Sequence, residues 1–496
     1  MVRPPRIDPV TDALLRHAWR SLGGAPDAPR TLRPTGPSAG LLPGRHRTLP
    51  MMVAAVGAAT LAAATLDQAR RGTPSGPVTV DVGHVALAAR SERYAHGPGT
   101  GGEPFAPLSR FWRTREGWLR LHTNYPWHRE RALEVLGCEG LPDAVAQAVA
   151  RWSGPDLEDA LAAHGGVGAA VRRPEEWAAH PQGRAVAGLP LVDRRVPDRA
   201  GQPRADDGAT TTAPRGGDGL RAAQGVRVLD LTRVIAGPVA TRTLAAWGAD
   251  VLRVDSPRLP ELPAQLTDTL VGKRSTLLDL TDPHGCDTLH ELLSAADVLV
   301  HGYRPGALDA FGLGGDALAM RHPHLNVVAV SAWGHVGPWR ARRGFDSLVQ
   351  CSTGIAAVEG DGDGAPGTLP AQALDHATGY LAAAAAMLAT ARTVHGGMPT
   401  HAHLSLAATA QWLTGAGTDP APAGPPGRQG GGALRGDDAE ASVGEHLCAV
   451  PGAASPVEVV APPGRLTDLA PGWASTTTYG SDPARFADRP RLSGRS

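Results

Sequence analysis

The central part of the chain alternates between short apolar segments and amphipathic segments of helical period. "GVRVLDL" predicts a buried strand over residues 226–231, and the segment after it predicts a helix with Pro238 in its first turn and Gly248 at its end. Further strands are predicted, in chain order, from "ADVLRVD", "STLLDL", "DVLVHGY" and "LNVVAVSAWG". This alternation predicts an α/β fold with a parallel sheet that carries helices on both faces.

The N-terminal part has a different pattern. "FWRTREGWLRLH" alternates apolar and polar positions around Glu116 and Gly117, which predicts a hairpin, and amphipathic helices are predicted around residues 132–152 and 156–163. These elements predict a smaller α+β domain. The apolar run over residues 51–66 is shorter than a membrane span and consists mostly of alanine, so we expect a buried helix there.

Part of this N-terminal region resembles a later part of the same chain. Residues 53–88 align without a gap on residues 375–410, and this alignment places Val53 opposite Asp375. If the two segments are copies of one unit, the second copy alone carries a carboxylate at this position.

Composition narrows the function classes. The chain has 48 basic and 48 acidic residues, so no net field favours nucleic acid or an anionic membrane, and we expect neither as a partner. The four cysteines lack C-x-x-C spacing, which argues against a zinc site or a disulfide framework; together with an N-terminus that lacks a secretion-type apolar segment, this predicts a cytoplasmic protein without a metal. Lys273 is the only lysine in an arginine-rich chain, which makes it a candidate functional residue.

The turn after the first central strand is a candidate ligand site. "TRVIAGPVATR" lacks the G-x-G-x-x-G motif, so a nicotinamide dinucleotide is disfavoured. The segment still predicts a helix N-terminus behind Gly237 and Pro238 at the carboxyl edge of a parallel sheet, where ligands commonly bind. A purely structural turn is the alternative.

Charged and aromatic residues flank two other strands. Lys273 and Arg274 directly precede one strand, and their cations suit the phosphates of a nucleotide. Tyr303 and Arg304 follow the fourth strand, where an aromatic face and a guanidinium group suit an adenine and a phosphate. Each pair alone is explained as well by a structural role, but together they predict a ligand that contains a nucleotide.

Asp375 precedes a long alanine-rich helical run. One interpretation is a helix N-cap, because an Asp carboxylate accepts hydrogen bonds from free backbone N–H groups. The other is a carboxylate nucleophile that the helix dipole keeps ionised. The neighbouring His376 is either a proton donor or, on the simpler interpretation, a surface histidine.

Five blocks in this order resemble the class III CoA-transferases, the family that includes formyl-CoA and carnitine CoA-transferases. The blocks are "GVRVLDLTRVIAGPVATRTLAAWGADVLRVD", "GKRSTLLDL", "ADVLVHGYRPGALDAFGL", "GFDSLVQCSTG" and "ALDHATGYLAAAAAMLATARTVHGG". The earlier segments "PLSRFWRTREGWLRLHTNYPWHRERALEVLG" and "EEWAAHPQGRAVAGLPLV" resemble the small domain and later parts of the same family. The order of the two halves is therefore inverted, as in a rearranged or partly duplicated member.

The resemblance implies a Rossmann-like parallel sheet. Two segments rich in Pro and Gly, residues 195–219 and the segment that begins at about residue 415, are then interpreted as linkers between parts of the chain. We expect an N-terminal extension (1–50), a partial second-half copy with the small α+β domain (51–194), a linker (195–219), a Rossmann-like CoA-binding and catalytic domain (220–414), and a Gly/Pro-rich linker with a C-terminal tail (415–496).

The family's catalytic aspartate falls on Asp375, which implies an enzyme that moves CoA from an acyl-CoA to a small carboxylic acid. The implied path runs through an aspartyl acyl-anhydride and an aspartyl-CoA thioester, with CoA as substrate and no tightly bound cofactor. Asp346 is implied as an orienting carboxylate beside the CoA site. The residues implied or predicted to contact CoA are Val234, Ala236, Lys273, Arg274, Tyr303, Arg304 and Arg343.

This chain departs from the family pattern at two places. Ser256 and Ala310 stand where some relatives carry arginines that contact the CoA phosphates, and Arg258 and Arg304 are the candidates to compensate. The family also implies a homodimer in which one subunit's small domain covers the other's site, whereas the inverted order would allow one chain to supply both parts.

Two other functions stay open. The same fold hosts α-methylacyl-CoA racemases, but Phe345 occupies the position of their proton-abstracting histidine and cannot accept a proton. The second alternative is a CoA-binding relative without catalytic activity.

Overall fold

The computed structural model describes residues 7–97, 105–198, 221–361, 364–419, 443–452 and 455–488. The helices are α1 (Pro9–Leu22), α2 (Thr48–Arg71), α3 (Val82–Ala88), α4 (Pro126–Leu136), α5 (Pro142–Val149), α6 (Gly154–Ala163), α7 (Pro174–Ala179), α8 (Pro181–Ala187), α9 (Ala236–Ala246), α10 (Pro263–Thr269), α11 (Pro283–Ala295), α12 (Gly315–Arg321), α13 (Asp346–Ser352), α14 (Ile355–Val358), α15 (Ala373–Val394) and α16 (Leu406–Thr414). Three short 3-10 helices are Ala28–Thr31, Ser91–Arg93 and Asp309–Phe311.

The strands form four sheets. They are β1 (Leu32–Thr35), β2 (Val78–Asp81), β3 (Phe111–Arg113), β4 (Trp118–Leu121), β5 (Gly168–Ala170), β6 (Val192–Arg195), β7 (Arg227–Leu231), β8 (Asp250–Asp255), β9 (Lys273–Leu277), β10 (Val298–His301), β11 (Asn326–Ser331), β12 (His401–Ser405), β13 (Leu447–Val450), β14 (Val457–Val460) and β15 (Arg465–Leu466). Most of both predicted linkers lies outside the described residues.

The central sheet has seven strands in the order β6-β12-β11-β10-β7-β8-β9. Six of these strands are parallel, and β6 pairs antiparallel with β12 at one edge. Counted from β7, the parallel strands follow the order 3-2-1-4-5-6 of a Rossmann fold. The predicted α/β fold class is therefore confirmed, and the strand order reverses between β7 and β10.

The small domain is a three-stranded antiparallel sheet, β3-β4-β5, with helices α4, α5 and α6 on one face. The predicted hairpin is present, and Phe111 pairs with Arg120 across it. Leu119 and Leu121 face the helices, because alternate residues of a strand point to the same side. The intervening Arg120 therefore points to the opposite face, which packs on α13.

The long apolar helix α2 packs along α15 and is buried, as predicted. It is the one described helix long and apolar enough to cross a membrane by length and composition, and most of it is covered by the rest of the protein. The segments that align in the sequence also have the same order of elements, α2-β2-α3 and α15-β12-α16. In both segments the strand lies parallel to a neighbouring strand.

The N-terminal and C-terminal regions contribute to this core. Helix α1 packs against α2, with Leu15 and Trp19 fully buried. In the tail, β15 joins β2 to complete the small sheet β1-β2-β15. The regions expected to be an extension and a tail therefore take part in the same packing as the repeat.

Helix α15 approaches α9 closely at Gly379. A Cβ atom at this position would lie 2.5 Å from the carbonyl oxygen of Ala236, the first residue of α9. The Val239 side chain lies 2.8 Å from the same point, and neither the carbonyl oxygen nor this β-branched side chain is a flexible end that can move away, so the contact requires glycine. It fixes the start of α15 beside the start of α9.

We expect Gly379→Ala to lower the free energy of unfolding by about 2 kcal/mol or more, because a methyl group would overlap the Ala236 carbonyl. Gly57→Ala is the matched control, since the repeat alignment pairs the two glycines and a Cβ at Gly57 would first meet the side-chain end of Leu32, 2.8 Å away. That variant should stay within about 1 kcal/mol of the wild type. Chemical denaturation of both measures the difference, and equal losses would contradict the close-approach explanation.

Candidate active site

The turn between β7 and α9 lies where the strand order reverses, the usual ligand position in such sheets. Val234 in this turn has a φ of +69°, which is rare for a β-branched residue and stores backbone strain. Its backbone N–H donates to Glu261 Oε2 at 3.1 Å. Glu261 also accepts a hydrogen bond of 2.5 Å from the Tyr125 hydroxyl group of the small domain. The strained turn is therefore held from two sides.

Arginines gather at the same edge of the sheet. Arg304 follows β10, and its Nη1 donates to the carbonyl oxygen of Ala341 at 2.7 Å. Arg304 and Arg343 line a cavity of about 300 Å3 between the sheet and the small domain. Burial lowers the pKa of Arg304, and the nearby charge of Arg343 adds to this effect. Like charges brought together in a cleft favour an anionic ligand.

The small domain forms the other wall of this cavity. Asp159 and Val167 line it, together with Trp333 and Trp339 from the loop that follows β11. Asp159 accepts a hydrogen bond of 2.7 Å from Arg342, which ties the small domain to this loop. One chain thus supplies both walls.

Two other residues predicted to contact CoA, Ala236 and Tyr303, also lie near the carboxyl edge of the central sheet. Ala236 begins α9 and is buried beside Gly379. Tyr303 is half-buried among apolar side chains below the edge, and burial raises the pKa of its hydroxyl group. Its ring does not line the cavity that contains Arg304.

The structure corrects the predicted roles of Lys273 and Arg274. Both residues begin β9, so they lie toward the amino edge of the parallel sheet, away from the ends of β7 and β10. The Lys273 side chain is fully buried, and its Nζ is 3.0 Å from Asp230 Oδ2 and 3.3 Å from the carbonyl oxygen of Pro238. Burial lowers the pKa of Lys273 to about 8. This ammonium group ties β9 to β7 and α9 and is closed to a ligand.

Arg274 pairs instead with Asp250 at 2.6 Å and donates to the carbonyl oxygen of Arg485 in the C-terminal region. The prediction failed because two cations beside a strand do not reveal at which end of the strand they lie. Sequence position before a strand places a residue at the amino edge of a parallel sheet, opposite the ligand cleft.

Asp346 caps the helix that carries Asp375. It is fully buried, and its Oδ2 accepts the backbone N–H of Asp375 at 2.9 Å. Its Oδ1 accepts a hydrogen bond of 2.5 Å from Gln350 Nε2. The N-cap interpretation of Asp375 is therefore wrong, because another carboxylate takes that role. In the described part of the chain, no hydrogen bond holds the Asp375 carboxyl group.

The direction of the Asp375 side chain follows from the helix. Asp375 and Gly379 are four residues apart, so they lie on one face of α15. Gly379 meets the first turn of α9. Asp375 therefore lies one turn before Gly379 on the face of α15 that packs against α9, and the charges that act on its carboxyl group are those of Asp346 and Glu92.

The surroundings favour the protonated form of Asp375. Burial raises its pKa well above the usual range, and the charges of Asp346 and Glu92 raise it further. Burial also raises the pKa of Asp346, to about 6, although its hydrogen bonds oppose this shift. The expectation that the helix dipole keeps Asp375 ionised is thereby corrected, because loss of hydration and two nearby carboxylates outweigh the dipole.

His376 is fully buried, which rules out a surface histidine. Its Nε2 is 3.0 Å from Glu92 Oε2, although the two residues are 284 positions apart in the chain. Sequence reasoning missed Glu92, since nothing in "SERYA" distinguishes it from an exposed acidic residue.

Comparison with known proteins identifies the central region. Residues 223–436 match the family model described as CoA-transferase family III. This central region is therefore similar to that family. The match contains the residues from Val234 to Asp375 discussed above, whereas the small domain precedes it.

Several curated proteins are similar to this region. The succinyl-CoA–L-malate CoA-transferase β subunit of Chloroflexus aurantiacus is 36% identical over 196 residues, which are 37% of this chain and 46% of that protein. The succinyl-CoA:glutarate CoA-transferase of Mus musculus is 34% identical over 182 residues, covering 34% and 42% of the two chains. The chain thus spans about half the length of the curated relatives it matches. The crystal structure of Rv3272 from Mycobacterium tuberculosis matches with 29% identity and a TM-score of 0.37, covering 39% of this chain and 58% of the other.

In the family III domain, ionisation of Asp375 should cost stability. A folded-state pKa above the unfolded value means that this stability is present at low pH and is lost as pH rises through the folded-state pKa. We therefore expect Asp375→Asn, which cannot ionise, to raise the melting temperature by a few degrees at pH 8, with the advantage disappearing toward pH 4. Thermal unfolding across this range measures it.

Asp316→Asn is the control, because Asp316 is an exposed aspartate in the first turn of another helix of the same domain. It should show no such pH-dependent gain. A constant loss of stability for Asp375→Asn at every pH would contradict the electrostatic explanation.

Proposed function

We propose that the protein transfers CoA from an acyl-CoA thioester to a carboxylic acid, with Asp375 as the nucleophile. The observation that carries this proposal is the division of labour between two aspartates. Asp346 accepts the backbone N–H of Asp375, and among the described residues no hydrogen bond holds the Asp375 carboxyl group, which is thus available to a ligand near the start of α9. Family III relatives named as CoA-transferases support the reaction class.

The first half of the reaction loads the enzyme. The Asp375 carboxylate attacks the thioester carbonyl carbon, the C–S bond breaks, and CoA leaves as a thiolate, so a mixed anhydride remains. The thiolate then attacks the aspartyl carbonyl carbon of that anhydride. This releases the original acyl group as a carboxylate and leaves CoA bound to Asp375 as a thioester.

The second half reverses these bonds with a new acid. The acceptor carboxylate attacks the aspartyl thioester carbon and displaces the CoA thiolate, giving a second anhydride. Attack of the thiolate on the acceptor's acyl carbon forms the new acyl-CoA and frees the Asp375 carboxylate. No water takes part, so closure by the small domain, which excludes water, favours transfer over hydrolysis.

The raised pKa of Asp375 is consistent with its role as the attacking nucleophile. A poorly hydrated carboxylate attacks more readily once it is ionised, because less water must be removed from it. Asp346 holds the helix start in place through the backbone of Asp375, so the attacking oxygens keep their direction. Asp346 is on this account a positioning residue.

The CoA moiety would occupy the cleft at the carboxyl edge. Arg304 and Arg343 supply positive charge for its phosphates, and the backbone at Val234 and Ala236 borders the thioester end. Tyr303, which follows β10, is the proposed contact for the adenine. Lys273 supports this site from below through the carbonyl group of Pro238.

A racemase-like reaction is the alternative that one observation keeps open. Phe345 stacks on His122 of the small domain, with ring centroids 3.7 Å apart, so an imidazole lies beside the position that Phe345 fills. Burial, with the charges of His128 and Arg120, lowers the pKa of His122 well below its usual range. Deuterium uptake at the acyl α-carbon without CoA exchange would favour this alternative.

We expect Asp375→Ala to lower the rate of CoA exchange by at least about 1,000-fold, since the covalent path is lost. Wild-type protein mixed with acyl-CoA and hydroxylamine should acquire a hydroxamate at Asp375, detected by peptide mass spectrometry. Asp316→Asn should keep both the activity and the modification. No modification of the wild type with any of several acyl-CoAs, together with unchanged exchange in Asp375→Ala, would leave CoA binding without catalysis.

We expect Arg343→Gln to raise the KM for an acyl-CoA by about 10-fold or more, because a charged hydrogen bond to phosphate is lost. The corresponding acyl-pantetheine lacks the nucleotide, so its KM should change far less. Arg274→Gln is the matched control at the opposite edge of the sheet and should change neither KM by more than about twofold. Steady-state kinetics measure these KM values. Equal changes in KM for Arg343→Gln and Arg274→Gln would contradict a nucleotide site at Arg343.

A further inference from the structure

One carboxylate lies among the arginines of the cavity between the central sheet and the small domain. This cavity of about 300 Å3 is lined by Arg304, Arg342 and Arg343, and Asp159 is the one acidic residue among its lining residues in the described part of the chain. The lining therefore carries three formal positive charges against one negative charge. A cleft with such an excess of positive charge attracts an anion that carries more than one charge.

The carboxylate of Asp159 is bound to Arg342. Its Oδ1 accepts a hydrogen bond of 2.7 Å from Arg342 Nη2, although the two residues are 183 positions apart, one in α6 and the other in the loop after β11. The side chain of Asp159 is 66% exposed. Because exposed ion pairs contribute little to stability, a more highly charged anion can replace this carboxylate at small cost.

The guanidinium group of Arg342 has an unused donor. Its central carbon lies 4.7 Å from the centroid of the Trp339 ring, so the charged group stacks on an aromatic face that also lines the cavity. Its Nη1 is buried and has no hydrogen-bond partner among the described residues. Asp159 thus binds one of the two terminal nitrogens. A phosphate group can accept hydrogen bonds from both, because its oxygens match the fork of a guanidinium group.

The neighbouring arginines make Arg342 part of one anion site. Arg343 follows it directly in the chain and lines the same cavity, and Arg304 Nη1 donates to the carbonyl oxygen of Ala341, the residue before Arg342. Burial lowers the pKa of Arg304, and the charge of Arg343 lowers it further, which shows that the cations repel one another. An anion bound among the three guanidinium groups would relieve this repulsion.

We propose that Arg342 is a further binding residue for a phosphate group of CoA, and that Asp159 occupies this position until the phosphate replaces it. The inference rests on the proposed function, in which CoA binds in this cavity. The exchange keeps Arg342 paired and adds a bond to its unused Nη1, while the Asp159 carboxylate turns to water. A phosphate monoester carries about 1.5 to 2 negative charges near pH 7, against one for a carboxylate. Asp159 therefore admits phosphorylated ligands and excludes singly charged acids.

Calorimetry with CoA and the full-length protein tests the exchange. Asp159→Asn should lower the Kd of CoA by about two- to fivefold, because the competing carboxylate of a weak, exposed ion pair is gone. Asp156→Asn is the matched control, since Asp156 is an exposed aspartate three residues earlier in the same helix and its replacement changes the net charge equally. Its Kd should stay within about 1.5-fold of the wild type. Equal changes in both variants, or none in Asp159→Asn, would overturn the proposal.

A double variant shows whether Asp159 acts through Arg342. Arg342→Gln should raise the Kd of CoA by about 10-fold or more, because a charged pair with phosphate is lost. Adding Asp159→Asn to Arg342→Gln should then change the Kd by less than about 1.5-fold, since the carboxylate has no guanidinium group left to release. Both variants should fold, because Asp159 is mostly exposed and neither change leaves a buried charge without a partner. A gain in the double variant as large as in Asp159→Asn alone would contradict the exchange.

Binding measured without turnover separates this inference from the proposed function. If CoA binds with the expected changes but no acyl-CoA supports transfer, the phosphate site stands and the transferase proposal falls. If transfer occurs while Asp159→Asn and Arg342→Gln leave the Kd of CoA at the level of the Asp156→Asn control, the phosphate site falls and the transferase proposal stands. Titration with 3′-dephospho-CoA then identifies the bound group: an effect of Arg342→Gln that disappears assigns the 3′-phosphate, and one that persists assigns the diphosphate.

Discussion

The hydrogen bond from the Asp375 backbone N–H to Asp346 is the interaction on which the candidate site depends. The first N–H groups of any helix need an acceptor, and an aspartate in the first turn commonly supplies its own. Here a carboxylate from another helix does so. Asp375 is released from the structural task its position suggests, while the backbone that carries it stays fixed.

That arrangement has an electrostatic cost. Asp375, Asp346 and Glu92 bring three carboxyl groups together in a buried region, and the charges of Asp346 and Glu92 raise the free energy of ionising Asp375. The fold offsets this with Gln350 on Asp346 and His376 on Glu92 and leaves Asp375 without compensation. Stored instability is thus concentrated on the one group proposed to react, a common feature of active sites.

The small domain reaches this site within the same chain. Tyr125 contacts Glu261, which holds the strained turn at Val234, and Asp159 contacts Arg342 at the rim of the cavity. The small domain, which precedes the central region in the chain, therefore forms one wall of the cleft. The residues that meet at this cleft come from two parts of one polypeptide.

The sequence was sufficient for features that depend on local pattern. Alternating strands and helices predicted the parallel sheet, and the resemblance to the family predicted Val234, Ala236, Arg343 and Asp346 as site residues. Lys273 was predicted to contact CoA because it is the only lysine in the sequence. In the structure its ammonium group is buried beside Asp230, which explains why a lysine occupies that position. Compact Lys fits where the larger guanidinium group of Arg would not.

Contacts between residues far apart in the chain could not be predicted from the sequence. Glu92 and His376 are 284 residues apart, and neither has a partner within its own segment that would mark it. Arg120 looked like the polar position of an alternating hairpin strand, which normally faces water. Its burial arises only because α13 covers that face of the small sheet. A polar residue on an alternating strand therefore becomes informative only once the element that covers it is known.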